Sequence, residues 1–111
     1  MAAVLTAADR AADARSVPLL LLAIPAGSDL SATDPHRVDA SRFPEYRPEA
    51  LTEAIEEIAG QARIPVVNLF HPFRAAGGPL YYPMDGHWNA AAQALAARLV
   101  ADRIAAEGLL R

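Results

Sequence analysis

Two short apolar runs, separated by a segment with helical periodicity, set the fold that this chain can adopt. Val17 to Ile24 is continuously apolar and stops at Pro25, and Ile64 to Leu69 repeats the pattern later in the chain. Runs of this kind are typical of strands covered on both faces, as in a parallel sheet. Parallel strands need a crossover, which a helix usually forms. The sequence therefore predicts an α/β domain with a short parallel sheet flanked by helices.

Three segments carry the spacing of amphipathic helices. The first, Ala2 to Ala14, is rich in alanine, the second follows Pro48, and the third follows Asn89, an N-cap residue, and ends near Gly108. The acidic side chains of the second segment are expected to face water. The residues expected to face inward are Val4, Leu5, Ala8 and Ala12 in the first helix, Leu51, Ile55, Ile58 and Ala62 in the second, and Ala92, Leu95, Leu99, Val100 and Ile104 in the third.

Two long connections follow the predicted strands. One, from Ala26 to Arg47, is rich in Pro, Ser, Asp and Gly, and the other contains Gly77, Gly78 and Pro79. Both leave the carboxyl ends of the strands, where ligands gather in parallel sheets. Two strands alone form a poor sheet with exposed edges. We therefore expect that the chain self-associates, or that it is the latter part of a larger domain, or that another segment supplies the missing strands.

The length and charge of the chain exclude several classes of protein. Its 111 residues, of which 53% are hydrophobic, allow one domain with its own core, and there is no cysteine for disulfides or thiolate metal sites. A net charge of -3, without any run of Lys or Arg, argues against nucleic acid as a partner. The run at Val17 to Ile24 is too short to span a bilayer. Asp9 and Asp13 precede it, whereas a secretion signal begins with unopposed positive charge, so a complete chain of this sequence would carry no export address.

The segment DGHWN at 85–89 carries the clearest chemistry in the sequence. A carboxylate two residues from an imidazole can accept a hydrogen bond from one ring nitrogen, which fixes the tautomer and leaves the other nitrogen open to a proton. Asp85 and His87 would then form half of a catalytic apparatus. The simpler interpretation is that Asp85 caps a turn while His87 packs beneath the last helix. Residue types alone favour the simpler interpretation.

A resemblance to a known family rests on the block 80–89, which reads LYYPMDGHWN and precedes an alanine-rich helix. This block resembles the last conserved block of the SGNH, or GDSL-type, hydrolases, and the Trp after the His resembles alginate O-acetyltransferase-type members. The upstream order agrees, with AIP at 23–25, YRP at 46–48 and PVVNL at 65–69. The resemblance covers nearly the whole chain but only the later half of the family's domain. It implies a partial flavodoxin-like three-layer fold, in which residues 1–111 form a single domain that is the C-terminal portion of an SGNH hydrolase-like domain.

By this resemblance Asp85 and His87 are the acid and base of a Ser-His-Asp triad. Asp85 orients the imidazole, and His87 removes the proton from a serine hydroxyl and returns it to the leaving alcohol. The chain departs from the family pattern in three places. It has no Gly-Asp-Ser motif to supply the nucleophile and no Gly-x-Asn-Asp block for the oxyanion hole, and Ala92 replaces a glycine that is usual soon after the His.

Ser28 is the best candidate in this chain for a substitute nucleophile, because Gly27-Ser28-Asp29 follows a predicted strand. A turn at the start of the long loop is the simpler interpretation, since such residues are common in turns. Ser16, Ser31 and Ser41 have no supporting context.

The remaining histidines and the aromatic residues have structural interpretations. His71 is expected to be partly buried and bonded to a loop carbonyl, and His36 to be solvated. No ligand spacing indicates a metal, and no cofactor is expected. Tyr81, Tyr82 and Trp88 either wall an acyl site or anchor the loop to the core.

Three accounts of function remain open at this point. The first is an SGNH-type ester hydrolase or O-acyl transferase domain that acts on a small-molecule or carbohydrate ester, with its nucleophile supplied from outside this chain. The second is a non-catalytic remnant of the same fold that serves in association, as a homodimer that completes the sheet. The third is a small hydrolase built around Ser28. None of them includes a metal, a nucleic acid or a membrane span.

Overall fold

The computed structural model describes residues 1–110, and within them the chain forms five helices and two strands. The elements are α1 (Ala2–Asp13), β1 (Leu21–Ala23), α2 (Gly27–Leu30), α3 (Ala50–Gln61), β2 (Val66–Asn68), α4 (Phe70–Ala76) and α5 (Ala90–Glu107). The predicted order of helix, strand, helix, strand and helix is confirmed. Two additional helices, α2 and α4, lie within segments that the sequence predicts as connections.

The two strands form the predicted parallel pair. Leu21 lies opposite Val66, and Ala23 lies opposite Asn68. The ladder continues one residue further, where the N–H of Leu69 donates to the carbonyl of Ala23 at 3.0 Å. Because α3 lies between the strands in sequence and packs against both, it is the crossover that a parallel pair requires.

Helices cover both faces of this short sheet. Val67 packs in the main core with Phe73 from α4 and with Ala92 and Ala96 from α5. Its neighbour Asn68 donates its side-chain N–H to Glu56 on α3, at 3.0 Å. Successive side chains of a strand point to opposite faces, so α3 and α5 lie on opposite sides of the sheet. The result is a partial three-layer α/β fold.

The predicted strand Val17 to Ile24 is wrong in its length and in its surroundings. Only Leu21–Ala23 is a strand, and Leu22 remains 36% exposed and Ile24 46% exposed. Ala23 is buried, whereas Leu22, on the face that β1 shares with Val67, is only partly covered by the core. The physical reason is that β2 is the single strand partner of β1 within residues 1–110, and a sheet of two strands is too narrow to be covered throughout.

The predicted inward faces of the first two helices also need correction. Leu51 is 61% exposed, and the buried residues of α3 are Thr52 and Ala59 instead. Both sets have helical spacing, so only the position of the sheet decides between them. Similarly, α1 buries no residue, and Val4 is exposed. Its main contact among the helices and strands is with α3, and this contact is small.

The short helix α4 is the element that the sequence pattern conceals. Pro72 lies at its third position, within the first turn, where a backbone N–H has no acceptor inside the helix and a proline is tolerated. The side-chain oxygen of Asn68 accepts the N–H of Phe70 at 3.0 Å and satisfies one of these first donors. Phe70 and Phe73 are both buried, and Phe73 packs in the core that the sheet shares with α5.

The boundaries of α5 are as predicted. The Oδ1 atom of Asn89 accepts the N–H of Ala92 at 3.1 Å, and Gly108 ends the helix with a left-handed φ of 62°. Ala92 and Ala96 are its buried residues, while the larger apolar side chains of the helix are partly exposed. None of the helices in residues 1–110 combines the length and the apolar content needed to cross a membrane.

Candidate functional site

The candidate site lies on the segment 80–89, which we call the His87 hairpin. Tyr81 and Trp88 pair in an antiparallel bridge. Two backbone hydrogen bonds flank this pair, from the N–H of Tyr82 to the carbonyl of His87 and from the N–H of Asn89 to the carbonyl of Leu80, both at 2.8 Å. The segment between the two arms is therefore a closed loop that presents Asp85 and His87 at its tip.

The loop closes with two residues in left-handed backbone conformations. Met84 has φ of 63° and Gly86 has φ of 72°. Glycine adopts such a conformation readily, whereas a residue with a Cβ does so at a cost of about 1–2 kcal/mol. Residues 82–87 are all exposed, so this local strain is held by the two arms of the hairpin and not by packing around the loop.

Asp85 and His87 contact each other directly. The Oδ1 atom of Asp85 lies 2.7 Å from the Nδ1 atom of His87, and it also accepts the backbone N–H of His87 at 2.7 Å. These bonds lower the pKa of Asp85, with the backbone hydrogen bond as the larger cause. Since an ionised carboxylate only accepts hydrogen bonds, the proton of a neutral His87 ring lies on Nδ1, and Nε2 carries the lone pair.

The pair is open to solvent. The side chain of His87 is 81% exposed and that of Asp85 is 53% exposed. Within residues 1–110 the Nε2 atom of His87 has no hydrogen-bond partner, so it is available to take a proton from a donor that approaches from outside. The simpler interpretation of the sequence is therefore half correct, since Asp85 does cap the turn, but His87 does not pack beneath α5.

Asn89 joins the hairpin to the helix that follows. Besides its capping bond to Ala92, its side-chain N–H donates to the carbonyl of Pro79 at 2.6 Å. The side-chain amide thus joins the residue before the hairpin, through its N–H, to the first turn of α5, through its oxygen. The sequence predicts the capping role, but the bond to Pro79 carries no sequence signal.

The aromatic residues of the hairpin divide between anchoring and exposure. The ring of Trp88 lies 6.2 Å from the ring of Phe73, centroid to centroid, and Tyr81 also packs against the core. These two residues anchor the loop. Tyr82 is exposed and faces a groove of about 610 Å³ together with Pro83 and Met84. The other wall of this groove comes from α2, α4 and the segment after α2, with lining residues that include Leu30, Ser31, Thr33, Asp34 and Arg74.

Ser28 lies in α2 and is half-buried. No hydrogen bond joins its hydroxyl to His87 within the described part of the chain. Its neighbour Gly27 is nevertheless close to the hairpin, because a Cβ placed there would lie 3.0 Å from the Cγ atom of Tyr81. The structure therefore brings α2 beside the hairpin without joining Ser28 to the imidazole.

The other histidines lie outside the pair. His71 is exposed and meets the edge of the Phe70 ring at 5.2 Å between centroids, so the prediction of a partly buried histidine bonded to a carbonyl is wrong. Its position at the start of α4 turns the ring outward. His36 is exposed, as predicted. Within residues 1–110, no three His, Asp or Glu side chains are grouped closely enough to hold a metal ion.

The long loop after α2 is tied to the same side of the molecule. The phenol of Tyr46 donates a hydrogen bond to Asp29, and this bond raises the pKa of Tyr46 to about 12. Next to it, Arg47 pairs with Glu49 and Glu53 at the start of α3. Tyr46 and Arg47 therefore fix the end of a loop that otherwise contains only local turns.

A comparison with family models identifies the chain. All of residues 1–111 match the model described as "SGNH hydrolase-like domain, acetyltransferase AlgX". The chain belongs to this family. The resemblance inferred from the block 80–89 is thereby confirmed, including its likeness to alginate O-acetyltransferase-type members. Neither a search of curated proteins nor a search of solved structures gives a significant match.

The membership also agrees with the architecture of this SGNH hydrolase-like domain. Its five helices and parallel strand pair are consistent with a partial α/β fold of the SGNH type. Within it, the sequence alone leads to Asp85, His87 and the capping role of Asn89. The contacts of Tyr81 across to the end of β1 have no sequence signal, since they join positions far apart in the chain.

Proposed function

We propose that this SGNH hydrolase-like domain takes part in O-acyl transfer or ester hydrolysis by a Ser-His-Asp mechanism, with Asp85 and His87 as its acid and base. The observation that carries the proposal is the contact of 2.7 Å between Asp85 Oδ1 and His87 Nδ1. It sets the tautomer that a triad needs and leaves Nε2 toward solvent. The substrate would be a small-molecule or carbohydrate ester.

In the proposed mechanism, His87 takes up one proton in each attack. A serine hydroxyl attacks the acyl carbonyl and gives its proton to Nε2 of His87, while Asp85 stabilises the imidazolium that forms. The same proton then passes to the leaving alcohol, and an acyl-serine remains. An acceptor hydroxyl or water attacks this ester next, with His87 again as the base, and releases the acylated acceptor or the free acid.

The serine is proposed to come from sequence outside this chain, which would be the C-terminal portion of a complete domain. Two observations support this. The chain has no Gly-Asp-Ser motif and no Gly-x-Asn-Asp block, and within residues 1–110 no serine forms a hydrogen bond to the exposed side chain of His87. Ser28 remains the internal alternative, because Gly27 beside it packs against the hairpin.

The role of His87 can be tested directly in a protein that contains this chain together with the segment proposed to carry the serine. His87→Ala should lower acyl-ester turnover by roughly 10²–10⁴-fold, the usual contribution of a general base. His71→Ala is the matched control, because His71 is also an exposed histidine near the core. Full activity of the His87 variant would refute the proposal, as would equal losses in the two variants.

The isolated chain tests the role of Ser28. Exposed imidazoles react slowly with p-nitrophenyl acetate by themselves, so the rate of a Ser28→Ala/His87→Ala double variant, which keeps His36 and His71, gives the background. Turnover that is lost in both Ser28→Ala and His87→Ala, together with labelling of Ser28 by a fluorophosphonate, would establish an internal nucleophile. A rate equal to the background and no labelled serine would exclude Ser28 and leave the external serine.

A second candidate function is association without catalysis, in which two copies of the chain complete the sheet. The observation that favours it is the outer edge of β1, which pairs with no strand within residues 1–110, together with the exposed side chains of Leu22 in the strand and Ile24 just after it. An exposed apolar strand edge pairs readily with another strand. If it does so here, sedimentation equilibrium gives a dimer that Leu22→Lys dissociates and that Leu51→Lys, at an exposed leucine on α3, leaves intact. A monomeric wild type would exclude this function.

A further inference from the structure

One side chain joins the His87 hairpin to the end of β1. The phenol of Tyr81 donates a hydrogen bond to the carbonyl of Pro25, two residues after the strand ends. Pro25 is itself buried, so its carbonyl is a fixed point of the sheet edge. Burial and the charge of Asp29 raise the pKa of the Tyr81 phenol above its ordinary value of 10.0, so the phenol is a hydrogen-bond donor at neutral pH and remains one into the alkaline range.

The ring of Tyr81 lies against Gly27. A Cβ at Gly27 would lie 3.0 Å from the Cγ atom and 3.1 Å from the Cδ1 atom of the ring, closer than such atoms ordinarily approach. Gly27 does not have a left-handed φ. A side chain at Gly27 is therefore disfavoured by the space that Tyr81 occupies and not by the backbone conformation.

Backbone contacts join Tyr81 to the residues around His87. Tyr81 pairs with Trp88, the residue next to His87, and the following N–H, that of Tyr82, holds the carbonyl of His87 at 2.8 Å. Residues 82–87 have no buried side chain that would hold the loop by itself. On this arm of the hairpin, the contacts of Tyr81 are the ones that reach the end of β1.

We propose that Tyr81 is a positioning residue for the pair of Asp85 and His87, and that Gly27 is kept small to receive its ring. The inference rests on the proposed function, because only a catalytic imidazole needs to be held at a fixed distance from the carboxyl end of β1. Tyr81 touches no reacting atom. It acts through the bridge, by holding the hairpin in one place relative to the sheet edge.

The test uses variants of the whole chain and two readouts by nuclear magnetic resonance. The first is the pKa of the Asp85 carboxyl, which the two bonds from His87 hold below its usual value. The second is hydrogen exchange at the amides of Tyr82 and Asn89, which form the bridge bonds. The variants are Tyr81→Leu, Tyr81→Phe and Gly27→Ala, and Tyr82→Phe is the control because its ring is exposed.

Tyr81→Leu is expected to increase exchange at both amides at least tenfold and to move the Asp85 pKa toward its ordinary value. Tyr81→Phe retains the ring and should show a smaller effect. Gly27→Ala should loosen the hairpin only while Tyr81 is present, so its effect should vanish in the Tyr81→Leu background. Tyr82→Phe should change neither readout.

The inference is overturned if the amides and the Asp85 pKa are unchanged in the folded Tyr81→Leu variant. Where that variant does not fold, unchanged readouts in both Tyr81→Phe and Gly27→Ala overturn it equally. A urea titration of each variant separates general loss of stability from loosening of the hairpin. These readouts do not depend on turnover, so a failure of the positioning role remains distinct from a failure of the proposed function, which the His87→Ala assay decides.

Discussion

The Oδ1 atom of Asp85 accepts two hydrogen bonds from His87, one from its backbone N–H and one from its ring Nδ1, each at 2.7 Å. Both bonds lie within three consecutive residues. The relative orientation of the carboxylate and the imidazole is therefore set within the turn, while the closure of the turn and the place of the pair in the molecule depend on the arms of the hairpin.

The hairpin should loosen in acid. The bonds from His87 lower the pKa of Asp85 in the folded state, so their stabilising effect is complete above the ordinary value of 3.8 and is lost as the pH falls through the lowered value. Exchange at the amides of Tyr82 and Asn89 should report this loss. Asp85→Asn should remove the acid transition, and Asp102→Asn, at an exposed acid on α5, should leave it. An unchanged transition in Asp85→Asn would contradict the assignment.

The cap of α5 should contribute measurably to stability. Asn89→Ala loses the acceptor for Ala92 and the donor to Pro79, and a lost cap alone costs about 0.5–2 kcal/mol. Asn89→Asp keeps the acceptor and loses only the donor, so its free energy of unfolding should lie between those of the wild type and the alanine variant. Urea denaturation measures all three. Equal stability of the two variants would mean that the cap contributes nothing, and equal stability of the wild type and Asn89→Asp would mean that the bond to Pro79 contributes nothing.

The core beneath the hairpin should depend on Phe73. This side chain is 2% exposed and lies between α4 and Trp88, so Phe73→Ala should lower the free energy of unfolding by about 3–5 kcal/mol. Phe43→Ala is the matched control, because Phe43 is exposed in the long loop and should cost little. Thermal or urea unfolding gives the comparison, and similar losses in both variants would show that the core is elsewhere.

Substitutions at the two left-handed residues of the hairpin loop should change the free energy of unfolding in opposite directions. Met84→Gly should stabilise the fold by up to about 1 kcal/mol, because glycine relieves the strain and loses part of that gain through greater freedom when unfolded. Gly86→Ala should destabilise it by about 1 kcal/mol from the backbone alone, since a Cβ there meets no atom within 4 Å. Urea denaturation of the two variants tests the pair, and changes of the same sign would refute the turn geometry.

Alkaline pH should release the end of the long loop. The bond to Asp29 raises the pKa of Tyr46 from 10.0 to about 12. Since the folded value is the higher one, the contribution of this bond is complete below the ordinary value and is lost as the pH rises through the raised one. The difference in unfolding free energy between wild type and Tyr46→Phe should therefore disappear at high pH. Tyr82→Phe, which removes an exposed tyrosine, should show no such pH-dependent difference.

The sequence predicts the elements whose signals are local. The caps of α5 follow from Asn89 and Gly108 alone, and the contact between Asp85 and His87 follows from their spacing, because each depends on a few neighbouring residues. The sequence does not predict the helix α4, because a proline usually ends a helix. The structure shows that the helix begins at Phe70, where Asn68 accepts the backbone N–H, and that Pro72 therefore lies in the first turn.

Sequence patterns do not predict features that depend on contacts between distant parts of the chain. The inward face of α3 could include Leu51 or Thr52 at the same helical spacing, and the place of the sheet decides. The burial of the Leu22 side chain likewise depends on the number of strands in the sheet. The contact of Tyr81 with Gly27 joins two residues that no periodicity relates, so a sequence pattern gives no sign of it.

Because the two bonds between Asp85 and His87 are confined to one turn, the choice of ring tautomer is made within three consecutive residues. The strand pair takes no direct part in that choice. It enters only through the contacts of Tyr81 with Pro25 and Gly27, which we propose to hold the arms that keep the turn closed. If the ten residues 80–89 were grafted onto another scaffold, they would therefore need a buried carbonyl and a glycine beside Tyr81 to present the imidazole in the same way.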